Sequence, residues 1–94
     1  GLDPDNSMVY VNLGTAYYTT QRFPEAIGMF REALRLDPGN VEAHFNLGVA
    51  FADAYIFDEA IREWQKVIEL EPDSQAAALC RENIAMLEAY TAGQ

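Results

Sequence analysis

The chain repeats itself with a period of about 34 residues. Three prolines, Pro4, Pro38 and Pro72, are evenly spaced at this period, and each follows a leucine and an acidic residue. The same shift lays LGTAYYTTQRFPEAI, which begins at Leu13, over LGVAFADAYIFDEAI, which begins at Leu47. A period of this length is typical of proteins that stack one supersecondary unit on the next, because a single unit buries its apolar face only against its neighbour.

Within each unit the apolar residues recur twice with the spacing of an amphipathic helix. Pro24 suits the first turn of a second helix, where its missing N–H is not needed, and Asp58 takes that place in the second unit. Pro38 and Pro72 end the second helices, because proline cannot continue a helix. The apolar residues of the first unit are Tyr10, Leu13, Gly14 and Tyr17, then Ala26, Ile27, Phe30, Ala33 and Leu34. We predict helices over about 7–20, 24–36, 41–54, 58–70 and 75–90.

Two glycines recur inside predicted helices at the repeat period, Gly14 and Gly48. Glycine inside a helix costs about 1 kcal/mol relative to alanine, so its recurrence indicates that two helices approach closely there. Across each hairpin we expect Ala26 and Ala60 to be the small partners.

Each unit resembles the tetratricopeptide repeat in its period and in its spaced aromatic, Leu-Gly, alanine and proline positions. Unit one supplies Tyr10, Leu13, Gly14, Tyr17, Ala26, Phe30, Ala33 and Pro38, and unit two supplies His44, Leu47, Gly48, Phe51, Ala60, Trp64, Val67 and Pro72. His44 stands where the family favours tryptophan, and Val67 where it favours alanine. Gln21 and Tyr55 stand where the family usually turns on glycine.

The resemblance covers residues 7–74 and implies an all-α, α-α superhelix of five antiparallel helices. Residues 7–40 form the first repeat and residues 41–74 the second. Residues 1–6 are expected to be the tail of a preceding repeat, and residues 75–94 a capping helix and tail. In the cap, Ala77, Cys80, Ile84 and Leu87 form the apolar stripe, while Arg81, Glu82 and Glu88 form the polar side. Because the chain begins with Gly1 rather than Met, we expect a piece of a longer protein.

The charge excludes two classes of partner. Fifteen acidic residues stand against six basic ones, for a net charge of −9. No basic stripe exists to meet phosphates, so we expect neither nucleic acid nor an anionic membrane as partner. No run of about 20 apolar residues could span a bilayer. We therefore expect a soluble protein, of the cytoplasm or the periplasm.

The sequence carries no constellation of catalytic or metal-binding residues. It has one histidine, one cysteine, no Ser/His/Asp set and no glycine-rich phosphate loop. We therefore predict no enzymatic activity, no cofactor and no metal site. For His44 a satisfied, half-buried imidazole is favoured over a pH switch or a ligand role. Cys80, in an alanine-rich run, is expected to be buried packing rather than a reactive thiol.

The resemblance also implies that a peptide or protein binds in the concave groove formed by the first helices of successive repeats. The groove-facing positions would be Met8, Val11, Asn12, Thr15, Tyr18 and Thr19 in unit one, and Glu42, Phe45, Asn46, Val49, Ala52 and Asp53 in unit two. Asn12 and Asn46 occupy the same repeat position. Their amides could bind a peptide backbone, or could form hydrogen bonds within the scaffold. We weigh these two roles evenly.

One subclass of the family clamps the C-terminal carboxylate of a chaperone tail with lysines and arginines in this groove. The corresponding positions here are Val11, Thr15, Glu42, Ala76 and Cys80. None of them is basic, so we predict no such clamp. A neutral or basic, partly apolar segment is the expected ligand, either extended or helical.

Two other roles remain open at this point. Tyr10 and Tyr17 would be bared if no repeat precedes the first helix, and Tyr55 and Ile56 are apolar where a turn is expected. These four residues could mediate self-association, although Tyr55 and Ile56 could instead pack on the neighbouring loop. The chain could also be a docking arm of a larger enzyme.

Overall fold

A computed structural model describes residues 4–93, which form five α-helices and no strand. The helices are α1 (Pro4–Thr19), α2 (Phe23–Leu36), α3 (Val41–Asp53), α4 (Phe57–Leu70) and α5 (Gln75–Ala92). Helices α1 and α2 pack as one hairpin, α3 and α4 as a second, and α5 packs on α4. The predicted all-α fold of five helices is confirmed. None of these helices is both long and apolar enough to cross a membrane.

The helix boundaries differ from the predicted ones mainly at the start of α1. This helix begins at Pro4 rather than at Ser7. Proline is favoured in the first turn of a helix, and Pro4, the first of the three evenly spaced prolines, begins one. Of the tail expected over residues 1–6, residues 1–3 lie outside the described residues and residues 4–6 belong to α1. Gln94 also lies outside the described residues.

Side chains cap the starts of α3 and α5 at equivalent repeat positions. The Asn40 carboxamide oxygen accepts the N–H of Ala43 at 3.0 Å, and the Ser74 hydroxyl accepts the N–H of Ala77 at 3.0 Å. These caps satisfy backbone donors that a helix start leaves unpaired. The Asn40 amide also donates to the buried Ser7 hydroxyl at 2.8 Å. This hydrogen bond ties α1 to the start of α3.

Each hairpin turns on a residue in the left-handed region, at the positions where the family favours glycine. Gln21 and Tyr55 have φ angles of 62° and 63°. In the second turn the N–H of Ile56 donates to the Phe51 carbonyl at 2.8 Å, and that of Tyr55 to the Ala52 carbonyl at 3.0 Å. The same pattern occurs one repeat period earlier, in the first turn. It is the Schellman arrangement that ends a helix.

Replacing Gln21 with glycine is expected to raise the free energy of unfolding by about 1 kcal/mol. Glycine adopts the left-handed conformation without the Cβ contact that costs other residues about 1–2 kcal/mol, and its greater freedom in the unfolded chain cancels part of that gain. Urea denaturation of Gln21→Gly and Tyr55→Gly measures the change. A loss of stability in both variants would contradict the inference that the backbone is strained at Gln21 and Tyr55.

The two helix glycines lie against aromatic rings of the partner helix. A Cβ built on Gly14 would stand 2.5 Å from the Phe30 ring, and one built on Gly48 would overlap the Trp64 indole. The predicted close approach is confirmed, and the atoms nearest to each added Cβ belong to an aromatic ring. The ring of the second helix lies over each glycine because the missing side chain leaves room for it. Ala26 and Ala60, the predicted small partners, are fully buried in the core.

Helix α5 covers the second repeat with its apolar stripe. Ala77 and Cys80 are buried, and Ile84 and Leu87 pack against the core with partial exposure. Burial raises the pKa of the Cys80 thiol to about 11, so the thiol stays protonated near neutral pH. The predicted packing role of Cys80 is confirmed.

Candidate functional site

Helices α1, α3 and α5 border a trough that contains three hollows. The first hollow, of about 240 Å³, lies between α1 and α3 and is lined by Thr15, Tyr18, Thr19, Phe30, Asn46 and Val49. The second, of about 520 Å³, lies between α3 and α5 and is lined by Val41, Glu42, Phe45, Asn46, Gln75, Ala76 and Leu79. The third, of about 240 Å³, is lined by Val49, Ala52, Asp53, Trp64, Asn83, Met86 and Leu87.

Most of the predicted groove positions line these hollows, and three do not. Val11 is only 1% exposed and belongs to the core, so it offers no surface to a ligand. The equivalent Phe45 has a longer side chain and remains partly exposed. Asn12 and Met8 are exposed but line none of the three hollows. The predicted positions that line the trough are Thr15, Tyr18, Thr19, Glu42, Phe45, Asn46, Val49, Ala52 and Asp53.

A hydrogen bond joins the two repeats at one end of the trough. The Tyr18 hydroxyl on α1 donates to the Asp53 carboxylate at the end of α3. The pKa of Tyr18 rises to about 12, first because of this hydrogen bond and then because of burial and the negative charge of Asp53. The tyrosine therefore stays neutral, and the Asp53 carboxylate is engaged with the scaffold rather than fully available to a ligand.

Asn46 is the polar group at the centre of the trough, where it lines both the first and the second hollow. Its amide forms no hydrogen bond with any residue whose side chain the structure describes. The nearby Thr15 and Thr19 hydroxyls instead donate to carbonyls of their own helix, each at 2.9 Å. A hydrogen bond within the scaffold, one of the two roles open for this asparagine, is not seen among the described side chains.

The charged side chains that line the three hollows are both acidic. They are Glu42 and Asp53, and no lysine or arginine lines any of the three. Val49, Phe45 and Leu79 are apolar residues with exposed surface that line these hollows, whereas Phe30 borders the first hollow but is only 1% exposed. The trough therefore combines apolar hollows with a negative rim.

Sequence reasoning missed the contribution of α5 to the trough. Leu79, Asn83 and Met86 line its far side, although the cap was expected to contribute only packing and a polar surface. These residues stand one repeat period after Phe45, Val49 and Ala52, so the repeat register continues into the cap. The missing Leu-Gly signature in α5 obscured that continuity.

Outside the trough, both ring nitrogens of His44 are paired. Nδ1 lies 2.8 Å from a Glu63 carboxylate oxygen, and Nε2 lies 2.8 Å from the Pro38 carbonyl oxygen. A carbonyl only accepts, so Nε2 carries a proton, and Nδ1 must also carry one to bond an ionised Glu63. Burial and the nearby charge of Lys66 lower the pKa of His44. The hydrogen bonds to Glu63 and Pro38, together with the negative charge of Glu63, raise it by more, so the pKa lies above its usual value. The expected satisfied imidazole is confirmed.

The stability of the chain is expected to fall between pH 6 and pH 8. The folded-state pKa of His44 lies above its unfolded value of about 6.5. The stabilisation of the fold by protonated His44 is therefore complete below pH about 6.5 and is lost as the pH rises through the folded-state pKa. Urea denaturation at intervals of pH measures the loss, and the window ends at pH 8 because buried Cys80 adds its own dependence above it.

Glu63→Gln is the matched control. Its glutamine amide can donate a hydrogen bond to the neutral imidazole, and the substitution removes the negative charge that favours the protonated imidazole. This variant should show a flatter pH dependence than the wild type. Equal slopes in the two proteins would contradict the role of the pair.

The described residues contain no group of three or more His, Cys, Asp or Glu side chains placed to hold a metal ion.

Comparisons with known proteins agree with the repeat architecture. The family model of the tetratricopeptide repeat matches residues 11–78. Thirty-three chains of solved structures match, and one of them, a mutant of MamA, has a TM-score of 0.68 and 29% sequence identity. The match covers 90% of this chain and 65% of the MamA chain, so this chain spans less than two thirds of that protein. A comparison with curated proteins found no match. The match of the family model over most of the chain shows that it belongs to the tetratricopeptide repeat family.

Proposed function

We propose that the chain is a protein-interaction module whose trough binds a neutral or basic, partly apolar segment of a partner protein. Repeats of this family are generally protein–protein interaction modules. The observation that carries the proposal is Asn46, which lies between two apolar hollows and whose amide has no partner among the described side chains. Its two donors and one acceptor match the N–H and C=O groups of a peptide backbone.

The first and second hollows suit side chains of such a segment. The first has the Phe30 ring and Val49 among its walls, and its volume of about 240 Å³ suits one apolar side chain. The second is wider, at about 520 Å³, and is bordered by Phe45 and Leu79. A segment with apolar residues on either side of a backbone contact to Asn46 would bury apolar surface in both.

The charge of the trough selects against an acidic ligand. Glu42 and Asp53 line it without any basic residue, and the whole chain has a net charge of −9. A terminal carboxylate would meet repulsion where a clamp would supply bidentate hydrogen bonds. Two of the clamp positions, Val11 and Cys80, are buried and unable to touch a ligand. We therefore infer a ligand without a carboxylate anchor.

The test uses random peptides displayed on phage and selected for binding to the chain. We expect the selected peptides to be neutral or basic with two or more apolar residues. Asn46→Ala should weaken their binding about three- to tenfold through lost hydrogen bonds, and Phe45→Ala should weaken it further. The backbone carbonyl of Phe45, which accepts from Trp64, is retained in that variant.

Gln65→Ala is the matched control, because Gln65 is an exposed amide on α4, outside the trough. Peptides that bind Asn46→Ala and Phe45→Ala as tightly as the wild type would refute binding in the trough.

Self-association through α1 is a second candidate, favoured by one comparison between the repeats. Val9 and Leu13 are 54% and 44% exposed, whereas Ala43 and Leu47, their equivalents on α3, are 0% and 2% exposed beneath α2. Residues 6–19 carry no charged side chain that would repel a second copy. Sedimentation of the wild type and of Leu13→Glu tests this role. A monomeric wild type at high concentration would dismiss it.

The predicted self-association residues of α1, Tyr10 and Tyr17, are less exposed than Val9 and Leu13. Tyr10 and Tyr17 are partly buried and pack against the core. Arg22 also lies over the Tyr17 ring, with its guanidinium carbon 5.0 Å from the ring centroid. Because α2 packs on the side of α1 that carries the two tyrosines, we infer that Val9 and Leu13 would contribute more of the contact with a second copy.

A further inference from the structure

Three aromatic side chains form an exposed cluster where the α3–α4 turn meets the end of α5. The Phe57 ring centroid lies 5.9 Å from that of Tyr55 and 5.5 Å from that of Tyr90, with both pairs edge to face. Tyr55 is 77% exposed and Tyr90 52% exposed, and the neighbouring Ile56 is also exposed. None of these four residues lines a hollow of the trough. We call Tyr55, Ile56, Phe57 and Tyr90 the aromatic cluster.

The turn itself does not require an aromatic residue at position 55. Gln21 occupies the equivalent position in the first repeat, with nearly the same φ angle and the same hydrogen-bond pattern. A bulky side chain is disfavoured in the left-handed region, and Tyr55 gains little burial there in return. Strain of this kind points to a role outside the turn.

The charged residues next to the cluster in sequence are acidic. Residues 53–59 and 86–93 contain Asp53, Asp58, Glu59 and Glu88 and no lysine or arginine. Of these four acids, Glu59 is paired with Arg62 and Asp53 accepts the Tyr18 hydroxyl, so Asp58 and Glu88 supply most of the negative charge. A second copy would bring the same acids against one another, so like charges oppose self-association at this surface. A partner with basic residues around an apolar centre would instead be complementary.

We propose that the aromatic cluster is a second docking surface, separate from the trough, and that its partner is a protein segment with apolar side chains flanked by lysine or arginine. Exposed tyrosines supply large contact areas with few rotatable bonds, and they are enriched among residues that dominate binding energy. Tyr55 and Ile56 thus belong to a surface for a different protein rather than for self-association.

The test uses a labelled synthetic peptide with one tryptophan between two leucines and two arginines at each end. A second peptide carries glutamates in place of the arginines. Fluorescence anisotropy measures their binding to the wild type, Tyr55→Gly, Tyr90→Ala and Gln21→Gly. Tyr55→Gly removes the ring while relieving strain in the turn, so lost binding in that variant does not reflect misfolding. Gln21→Gly makes the same backbone change in the other turn and is the matched control.

We expect the basic peptide to bind the wild type and Gln21→Gly equally, and Tyr55→Gly and Tyr90→Ala about tenfold more weakly. Binding should fall as salt rises, and the acidic peptide should not bind. Equal binding to Tyr55→Gly and the wild type would overturn the proposal. Amide chemical-shift changes confined to the trough would also overturn the proposal, although they would agree with the proposed function of the trough. A dimer of the chain that Tyr55→Gly abolishes would overturn it as well.

Discussion

Trp64→Ala is expected to lower the free energy of unfolding by about 3–5 kcal/mol, as truncation of a buried tryptophan generally does. The indole is almost fully buried and lies over Gly48 in the second hairpin. Its Nε1–H also donates to the Phe45 carbonyl oxygen at 3.2 Å. Small domains are stable by only about 5–15 kcal/mol, so this single change removes a large fraction of the total.

Far-UV circular dichroism during urea denaturation measures the effect, since the variant lacks the chain's single tryptophan as a fluorophore. Trp64→Phe is the matched control, because Phe30 occupies the equivalent position over Gly14. This control loses one hydrogen bond and some packing volume, so its cost should be clearly smaller. A Trp64→Ala protein within about 1 kcal/mol of the wild type would contradict the packing described for the second hairpin.

Gly48→Ala is expected to destabilise the chain by about 1–3 kcal/mol, although alanine is the better helix former. The new methyl group would overlap the Trp64 indole, which has little room to move in the core. Gly28→Ala should have the opposite sign and stabilise the chain by about 1 kcal/mol. Gly28 lies on an exposed part of α2, and a Cβ there would meet nothing within 4 Å.

The difference in sign between these two glycines is the informative measurement, because both changes add the same methyl group inside a helix. Thermal unfolding of the two variants and of Gly14→Ala supplies it. If Gly48→Ala were as stabilising as Gly28→Ala, the close approach of the two helices would be refuted.

The repeat register predicted the helices well because it reports which residues face inward within a unit. It could not predict what lies outside the unit. Leu13 and Leu47 share a repeat position, yet only Leu47 is buried, because α2 covers α3 and no described residue covers α1 in that way. Val11 and Phe45 also share a position, yet Val11 is buried and only Phe45 lines the trough.

Contacts between units were hidden from the sequence for a related reason. The Tyr18–Asp53 hydrogen bond joins residues far apart in the chain, and neither side chain is part of the repeat signature. Such a pair becomes visible only once the packing of α1 against α3 is known. The structure likewise pairs His44 with Glu63 across the second hairpin, whereas the sequence indicated only that the imidazole would be satisfied.

The positions at which the two repeat copies differ are where specificity should reside. Thr15 and Val49 occupy equivalent positions and meet in the first hollow, one with a hydroxyl and one without. Tyr18 and its equivalent Ala52 also line the trough, in different hollows. The shared spacing builds the helices, and these differences shape the surface that a partner would touch.

The most direct test of trough binding is an amide chemical-shift map of the chain with a phage-selected peptide. We expect the largest changes along the faces of α1, α3 and α5 that line the hollows, at Thr15, Asn46, Val49 and Leu79. The changes should disappear for peptides whose apolar residues are replaced by serine. Changes confined to α2 and α4, with none at these four residues, would contradict the proposal that the trough binds the partner.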